Sequence, residues 1–218
     1  MAELLEAAGT DQLVALDVHN SAALDNAFRI PVDHLSALPM LADHFASRLQ
    51  GTELVVTSPD VGGVKRAQIF RELLAARLGR DVPLAFIEKR RADGVVSGGT
   101  LVGMPTGEPT VIVLDDLCAT GGTLIRAAGI CRDSGAAAVH VAVTHAPLAQ
   151  GLEALVAADA ITSIVTTDSV AIVHRPASAD GKLFTLPIAS LFGAAVRRML
   201  DGRPLTPLFR SWPVADTD

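Results

Sequence analysis

Short apolar runs alternate with helical stretches along almost the whole chain, and this alternation constrains the fold most. Runs of strand length occur at Leu13–Leu16, Leu54–Thr57, Leu84–Ile87, Val111–Leu114, Val139–Val143 and Ile161–Val165. Helical spacing of apolar residues occurs at Leu38–Leu49, Val64–Leu78, Leu124–Ser134 and Ile188–Leu200. Within the second of these helices, we expect Ile69, Leu73 and Leu74 to lie on one side. The alternation predicts an α/β protein with a mainly parallel sheet flanked by helices.

Composition argues against several other classes of protein. The chain has 218 residues, and no apolar run in it approaches the ~20 residues that a membrane span needs. Its N-terminal stretch is acidic and does not resemble a secretory signal, and its two cysteines form no disulfide framework, so we expect a cytoplasmic protein. The formal net charge is −6, which predicts no nucleic-acid partner.

The segment Val111–Thr123 reads V-I-V-L-D-D-L-C-A-T-G-G-T and indicates a ligand site. Asp115 and Asp116 follow a buried strand, and their carboxylates can face ribose hydroxyls, directly or through a metal. Residues Ala119–Thr123, here called the sugar-phosphate turn, open a helix and offer N–H groups and hydroxyls to a phosphate. The acids might otherwise only cap a strand, but the turn that follows them argues against that. Cys118 is interpreted as a small filler.

Several other loops also follow predicted strands. In parallel sheets, ligands bind beyond the carboxyl ends of the strands, so loops that follow strands belong to one candidate site. These loops are Asp17–His19, Ser58–Gly63, Glu88–Arg91, Asp115–Thr123 and Thr144–Pro147. We therefore expect them to lie along one edge of the sheet.

The Ser58–Gly63 loop ends a strand and opens a helix, as an anion-binding loop does. Gly62 and Gly63 let the backbone approach a ligand closely, and the helix N-terminus favours an anion. Asp60 can hold Mg²⁺ on a diphosphate, because this ion prefers carboxylate and phosphate oxygens. The alternative is an ordinary turn that Asp60 caps. His19, beside Asp17, is similarly open between a functional and a structural role.

A basic cluster, Lys89-Arg90-Arg91, lies between a strand and a glycine-rich stretch. It is either a solvated loop or an anion-binding element. The segment Arg90–Pro109 lacks apolar periodicity and holds five glycines, at 94, 98, 99, 103 and 107. These features predict a long loop, of the kind that forms a lid or is disordered.

Taken together, these motifs resemble a known family. Val111–Thr123 resembles the phosphoribosyl-diphosphate (PRPP) motif of type I phosphoribosyltransferases. The other motifs narrow the resemblance to ribose-phosphate pyrophosphokinases, and they occur in that family's order: Asp17–His19, Ile30–Asp33, Ser58–Ala67, Glu88–Arg91, Thr144–His145, Ala195–Arg198 and Pro207–Phe209. The resemblance implies a type I phosphoribosyltransferase-like fold with the remnant of a second, similar domain. It assigns residues 39–189 to the C-terminal domain, and residues 1–38 with 190–218 to the remnant of the N-terminal one.

The resemblance also implies an activity and a set of site residues. The family transfers diphosphate from ATP to O1 of ribose 5-phosphate with magnesium, giving PRPP and AMP for nucleotide biosynthesis. Lys89 would be the catalytic lysine and Arg91 a phosphate contact, both on a mobile flap. The ribose 5-phosphate contacts would be Asp115, Asp116, Ala119, Thr120, Gly121, Gly122 and Thr123. The diphosphate of ATP would contact Asp60, Gly62 and Gly63, and His19 with Asp60 would hold Mg²⁺. Family members assemble as homo-oligomers, dimers or hexamers.

Two departures from the family keep alternatives open. The chain begins in what should be the last helix of the N-terminal domain, so we expect the adenine-binding segment to be absent. Ala119 stands where the family usually has Asp, and Ala-Thr-Gly-Gly-Thr is more typical of true phosphoribosyltransferases. One alternative is therefore a type I phosphoribosyltransferase that consumes PRPP. Another is a non-catalytic subunit associated with synthetases.

Overall fold

A computed structural model describes residues 1–92, 95–147, 152–172 and 175–209, with the backbone alone at 89–92 and 95–98. Its strands are β1 (Leu13–Leu16), β2 (Val32–Leu35), β3 (Leu54–Ser58), β4 (Leu84–Ala92), β5 (Val95–Val102), β6 (Thr110–Leu117), β7 (Ala138–His145), β8 (Ser163–Thr167) and β9 (Leu183–Leu186). Its helices are α1 (Ala2–Ala7), α2 (Ser21–Ala27), α3 (Leu38–Arg48), α4 (Val64–Leu78), α5 (Gly122–Asp133), α6 (Leu152–Ala157) and α7 (Ala189–Leu200). None of these helices is long and apolar enough to cross a membrane.

Strands β3 to β9 form one sheet in the order β5-β4-β3-β6-β7-β8-β9. All neighbours in it are parallel except β4 and β5, which pair antiparallel. Strands β1 and β2 pair parallel in a separate two-stranded sheet. The predicted α/β protein with a mainly parallel sheet is confirmed.

Helices cover both faces of the large sheet, which explains its continuous apolar runs. Alternate residues of β6 point to opposite faces. Val111 and Val113 pack with α5 and α6, and Ile112 and Leu114 pack with α3 and α4. Because both faces are buried, β6 is rigid and its carboxyl end is fixed in place.

The segment Arg90–Pro109 is largely a β-hairpin, so the prediction of a long loop was wrong. Strand β4 runs on to Ala92 and pairs with β5, with Lys89 opposite Gly99. At Gly99 a Cβ would lie 2.6 Å from Cγ2 of Ile87 and 3.2 Å from Cδ1 of Ile130 in α5. This glycine allows a close approach within a strand, a role that composition alone does not separate from that of a loop glycine.

A third, smaller core joins the beginning and the end of the chain. Its buried residues come from β1, β2, the start of α3, α7 and the turn that follows α7: Leu16, Leu35, Ala37, Met40, Leu191, Ala195, Leu205 and Leu208. We call β1, β2, α7 and the Thr206–Phe209 turn the small unit. The division into residues 1–38 with 190–218 and residues 39–189 stays a prediction, and residues 210–218 lie outside the described part of the chain.

Candidate sugar-phosphate site

The two acids of the motif lie inside β6. This strand ends at Leu117, three residues beyond the strand end predicted at Leu114. Because successive side chains of a strand alternate, the two carboxylates have different surroundings. The side chain of Asp115 is 22% exposed, whereas that of Asp116 is 3% exposed. The backbone N–H of Asp116 donates to Oδ1 of Asp115 at 2.9 Å.

Asp116 connects two cationic or polar side chains from distant parts of the chain. Its Oδ2 accepts hydrogen bonds from Nδ1 of His19 at 2.7 Å and from Nη2 of Arg66 at 2.8 Å. Nη1 of Arg66 lies 3.7 Å from Oδ1 of Asp115, so this guanidinium faces both acids. Arg66 was not among the predicted site residues. The available signal was its position in the first turn of α4, directly after the Ser58–Gly63 loop.

Burial and charge separate the pKa values of the two acids. Burial, reinforced by hydrogen bonding between the two carboxyl side chains, raises the pKa of Asp115 to about 7. Burial also acts to raise the pKa of Asp116, but hydrogen bonds from Asp115 and His19 and the charge of Arg66 outweigh it and lower that pKa. Asp116 is therefore the ionised member of the pair, and Asp115 exchanges a proton near neutral pH.

The sugar-phosphate turn presents the N-terminus of α5 to a pocket. Gly121 precedes the helix in a left-handed conformation (φ 77°). No side chain caps the helix at this residue, so the first N–H groups of α5 are left for a ligand. The pocket has a volume of about 170 Å³ and is lined by Asp115, Leu117, Cys118, Ala119, Thr120, Gly121, Thr123 and Leu124. Gly122 adjoins it as the first residue of α5. An acid, two hydroxyls and a helix N-terminus thus meet in one small pocket.

Cys118 is a buried member of this lining, which agrees with its interpretation as a filler. Its residue surface is 2% exposed. Burial raises the pKa of its thiol to about 11, so the reactive thiolate is scarce at neutral pH.

The Ser58–Gly63 loop forms a tight capped turn before α4. Oδ1 of Asp60 accepts from the N–H of Gly63 at 3.1 Å, and the hydroxyl of Ser58 donates to the carbonyl of Asp60 at 2.6 Å. The capping role of Asp60 is therefore present. Binding of diphosphate by Asp60, Gly62 and Gly63 stays a prediction.

A groove of about 1090 Å³ runs between the small unit and α4. We call it the α4 groove, and its lining includes Val18, His19, Gly62, Arg66, Ile69 and Phe209. The fold therefore brings His19 and the Ser58–Gly63 loop to one groove, beside the acidic pair.

Polar contacts attach the small unit to the carboxyl edge of the large sheet. Asp17, with φ 41°, accepts at Oδ2 from the N–H of Ala37 at 2.9 Å and from Oγ1 of Thr144 at 2.7 Å. Nε2 of His145 lies 3.0 Å from the carbonyl oxygen of Leu16, to which it donates. Sequence reasoning grouped these residues as loops after strands but did not foresee their contacts.

A family model for the phosphoribosyl transferase domain matches residues 36–178, which include the acidic pair, the sugar-phosphate turn and the hairpin. The chain belongs to this family. Over almost its whole length, this phosphoribosyltransferase-family chain is similar to ribose-phosphate pyrophosphokinases. It is 35% identical over 211 residues to the one from Prochlorococcus marinus subsp. pastoris, covering 96% of this chain and 61% of that protein.

Two further similarities point the same way. The chain is 36% identical over 210 residues to the ribose-phosphate pyrophosphokinase of Granulibacter bethesdensis, covering 96% of this chain and 65% of that protein. The crystal structure of phosphoribosylpyrophosphate synthetase from Mycobacterium smegmatis aligns with a TM-score of 0.78 at 32% identity, covering 92% of this chain and 62% of that one. The phosphoribosyltransferase-family chain thus spans under two thirds of the length of these relatives. The resemblance to ribose-phosphate pyrophosphokinases is confirmed, and so is the type I phosphoribosyltransferase-like fold.

The predicted catalytic residues of this phosphoribosyltransferase-family chain lie on its hairpin. The backbone of Lys89 and Arg91 belongs to β4, with a register irregularity between Arg90 and Arg91. Their side chains lie outside the described part of the structure, so their roles stay predictions. Their strand is near the site, because only β3 lies between β4 and β6, the strand that carries the two acids.

The predicted metal ligands do not form a protein cage. The described residues contain no group of three or more His, Cys, Asp or Glu side chains arranged to hold a metal ion. Asp60 nevertheless suits Mg²⁺, which is usually bound through one or two carboxylates, substrate phosphates and water. The part of His19 in holding this ion stays a prediction of the resemblance. His19, with Nδ1 bonded to Asp116, keeps Nε2 for a ligand.

Proposed function

We propose that this chain belongs to a ribose-phosphate diphosphokinase, which transfers diphosphate from ATP to O1 of ribose 5-phosphate and yields PRPP and AMP. One observation carries the proposal. An acidic pair ends a buried strand beside an uncapped helix N-terminus, in a chain about 35% identical over most of its length to ribose-phosphate pyrophosphokinases. The substrates are ribose 5-phosphate and ATP, and the setting is cytoplasmic nucleotide biosynthesis.

The pocket suits ribose 5-phosphate in one orientation. The 5-phosphate lies at the sugar-phosphate turn, where the N–H groups of α5 and the hydroxyls of Thr120 and Thr123 bind it. Asp115 lines the same pocket and accepts from the ribose hydroxyls. This placement directs the sugar toward the α4 groove, which is where His19 and the Ser58–Gly63 loop lie.

The transfer itself requires positioning and charge neutralisation more than covalent chemistry. O1 of the sugar attacks the β-phosphorus of ATP, the bond from that phosphorus to the α,β-bridging oxygen breaks, and AMP leaves with the electron pair. The proton of the O1 hydroxyl passes to solvent. Lys89 and Arg91, on the hairpin, stabilise the charge that develops on the transferred group.

His19 and Asp60 would hold Mg²⁺ together with oxygens of the triphosphate, and the bound ion would supply neutralisation of the negative charge on the donor. Gly62 and Gly63 allow the backbone to approach the same phosphates. The protein acts as a homo-oligomer, a dimer or a hexamer.

A second candidate is a type I phosphoribosyltransferase that transfers the ribosyl group of PRPP to a base. One observation favours it: Ala119, with Thr-Gly-Gly-Thr, is the motif form more typical of that class. The two functions separate cleanly by substrate. A transferase releases diphosphate from PRPP and a nucleobase without ATP, whereas a diphosphokinase requires ATP and forms AMP.

The test is an assay of the purified chain with ATP, Mg²⁺ and ribose 5-phosphate, in which AMP and PRPP are both quantified. Lys89→Ala should abolish both products and leave the thermal unfolding midpoint unchanged, because the change removes a charge needed only for transfer. Retention of activity in this variant would reject the catalytic role of Lys89 and support a non-catalytic subunit. If neither this chain nor a version extended to the length of its relatives forms the two products, the proposed function is wrong.

A further inference from the structure

The two adjacent acids of β6 differ in what they contact, although the motif presents them as a pair. Asp115 lines the sugar-phosphate pocket, and Asp116 is not among the residues that line it. The side chain of Asp116 is 3% exposed, and a single oxygen of it accepts from both His19 and Arg66. A carboxylate so enclosed has little surface left for a ribose hydroxyl.

We propose that Asp116 is a positioning residue, which orients His19 and Arg66 toward the α4 groove, and that Asp115 alone of the two acids contacts the sugar. This inference rests on the proposed function. It assigns different tasks to residues that the motif treats as equivalent.

The contact with Asp116 sets the tautomer of His19. A carboxylate oxygen only accepts hydrogen bonds, so Nδ1 of His19 carries the proton, at 2.7 Å from Oδ2. Nε2 then holds the lone pair, on a ring whose side chain is 81% exposed and which lines the α4 groove. Histidines that bind a ligand through one nitrogen commonly donate the other N–H to a carboxylate, which fixes the orientation of the ring.

Arg66 is held by the same oxygen. It lies in the first turn of α4, directly after the Ser58–Gly63 loop, and its side chain is 23% exposed. Its ion pair with Asp116 therefore ties the start of α4 to the end of β6. Removing the carboxylate would release both side chains, those of His19 and Arg66, that face the groove at this point.

A purely structural role for Asp116 makes different predictions, and the chain provides a matched control. Arg71, also in α4, forms an ion pair with Asp81 at 3.0 Å, and neither residue is among those that line the α4 groove. Asp81→Ala should change neither sugar binding nor turnover. It reports what the loss of a comparable ion pair does by itself.

The first experiment compares Asp115→Ala with Asp116→Ala by calorimetric titration with ribose 5-phosphate. Asp115→Ala should weaken binding by about tenfold or more, the effect of losing a hydrogen bond to a charged group. Asp116→Ala should leave that affinity within about twofold and lower kcat about 10- to 100-fold, the usual effect of removing a residue that orients a ligating histidine. If Asp116→Ala weakens sugar binding as much as Asp115→Ala does, Asp116 is a sugar ligand and the proposal is wrong.

The second experiment reads the tautomer of His19 by ¹⁵N NMR of the chain labelled at histidine, with His19→Gln to identify the signal. The wild-type ring should be the Nδ1–H form, and Asp116→Ala should convert it to the mixture expected of an exposed histidine in water. Asp116→Asn keeps an acceptor oxygen in place and should retain the Nδ1–H form and more of the turnover than the alanine variant. An unchanged ring in Asp116→Ala would overturn the proposal.

Two further measurements distinguish a loss of folding, or of the proposed function, from a failure of the proposal about Asp116. If Asp116→Ala does not fold, His19→Gln tests the same path at an exposed position and should lower kcat without changing sugar affinity; a loss of sugar affinity there would contradict the proposal. If neither the wild-type chain nor a version extended to the length of its relatives forms PRPP, the proposed function fails, and the tautomer and the sugar titration still decide the role of Asp116.

Discussion

Gly63→Ala tests whether the Ser58–Gly63 loop is built as the structure shows. Gly63 has φ −85°, which alanine adopts without strain, so in open space the change would stabilise the fold by about 0.4–1 kcal/mol. The space is not open, because an added Cβ would lie 2.6 Å from Oγ of Ser58. Ser58 is buried, and its hydroxyl already donates to the carbonyl of Asp60 at 2.6 Å.

The magnitude follows from what must move. Rotating the Ser58 hydroxyl away from the new methyl leaves a buried polar group without its hydrogen bond, which costs about 1–3 kcal/mol. Set against the backbone gain, Gly63→Ala should destabilise the fold by a net value of roughly 1–2 kcal/mol. In a Ser58→Ala background the obstacle is gone, since the next contact of the added Cβ is the Cβ of residue 58 at 3.8 Å. There the same change should be stabilising.

The assay is urea unfolding of the wild type, both single variants and the double variant, analysed as a cycle. The expected signature is a reversal of sign: Gly63→Ala destabilises with Ser58 present and stabilises with Ala at position 58. If the effect of Gly63→Ala is stabilising in the wild-type background, or equally destabilising in both, the close contact between these residues does not exist.

Three further changes test other parts of the site. Gly121→Ala places a side chain at φ 77°, which should cost about 1–2 kcal/mol in urea unfolding and weaken ribose 5-phosphate binding in calorimetry; an unchanged midpoint would contradict the turn geometry. Ala119→Asp adds a negative charge beside the phosphate pocket, so affinity for ribose 5-phosphate should fall several-fold and recover in part at high salt, and a salt-independent loss would point to a steric effect. Burial, followed by the charges of Arg48 and His140, lowers the pKa of His44 to about 4. As pH falls below about 6.5, the imidazole is therefore protonated in the unfolded state but not in the folded state. The unfolding free energy of the wild type relative to His44→Gln should therefore be constant above about pH 6.5 and fall between pH 6.5 and 4 by at most ~3 kcal/mol. The raised pKa of Asp115 gives a slope of opposite sign in both proteins, which this difference removes.

The centre of the large sheet was predictable because its strands are buried on both faces. Such strands have continuous apolar runs, so β3 was predicted to within one residue, and the predicted runs Val111–Leu114 and Val139–Val143 lie inside β6 and β7. Outside that sheet, β1 and α4 were predicted with the bounds that the structure shows. Short elements at the margins, such as α1, α2, α6 and β9, have too few residues for a clear period and were not predicted.

The apolar side of α4 that holds Ile69, Leu73 and Leu74 is divided between the core and the groove. Leu74 is buried, but Ile69 is 45% exposed, and the helix also packs through Ala67 and Phe70. Ile69 and Leu73 line the α4 groove. Periodicity identifies apolar positions, and it does not distinguish those that face the core from those that line a groove.

One part of the candidate site is contiguous in sequence, and the other part is formed by contacts between distant residues. The acidic pair and the sugar-phosphate turn are contiguous, so their order along the chain predicts their geometry. The contacts around them join residues far apart in sequence: Arg66 and Asp116 are 50 residues apart, His19 and Asp116 are 97, and Asp17 and Thr144 are 127. Such pairs are set by how the small unit packs on the sheet, which no local pattern of residues reveals.

The most direct test of the proposed function is ³¹P NMR of the chain, or of a version extended to the length of its relatives, with ATP, Mg²⁺ and ribose 5-phosphate. We expect AMP to form together with a diphosphate attached to the sugar, in equal amounts, and ADP not to accumulate. Lys89→Ala should remove both new signals. Formation of ADP and a sugar bisphosphate, or diphosphate release from PRPP and a base with no use of ATP, would contradict the proposed function.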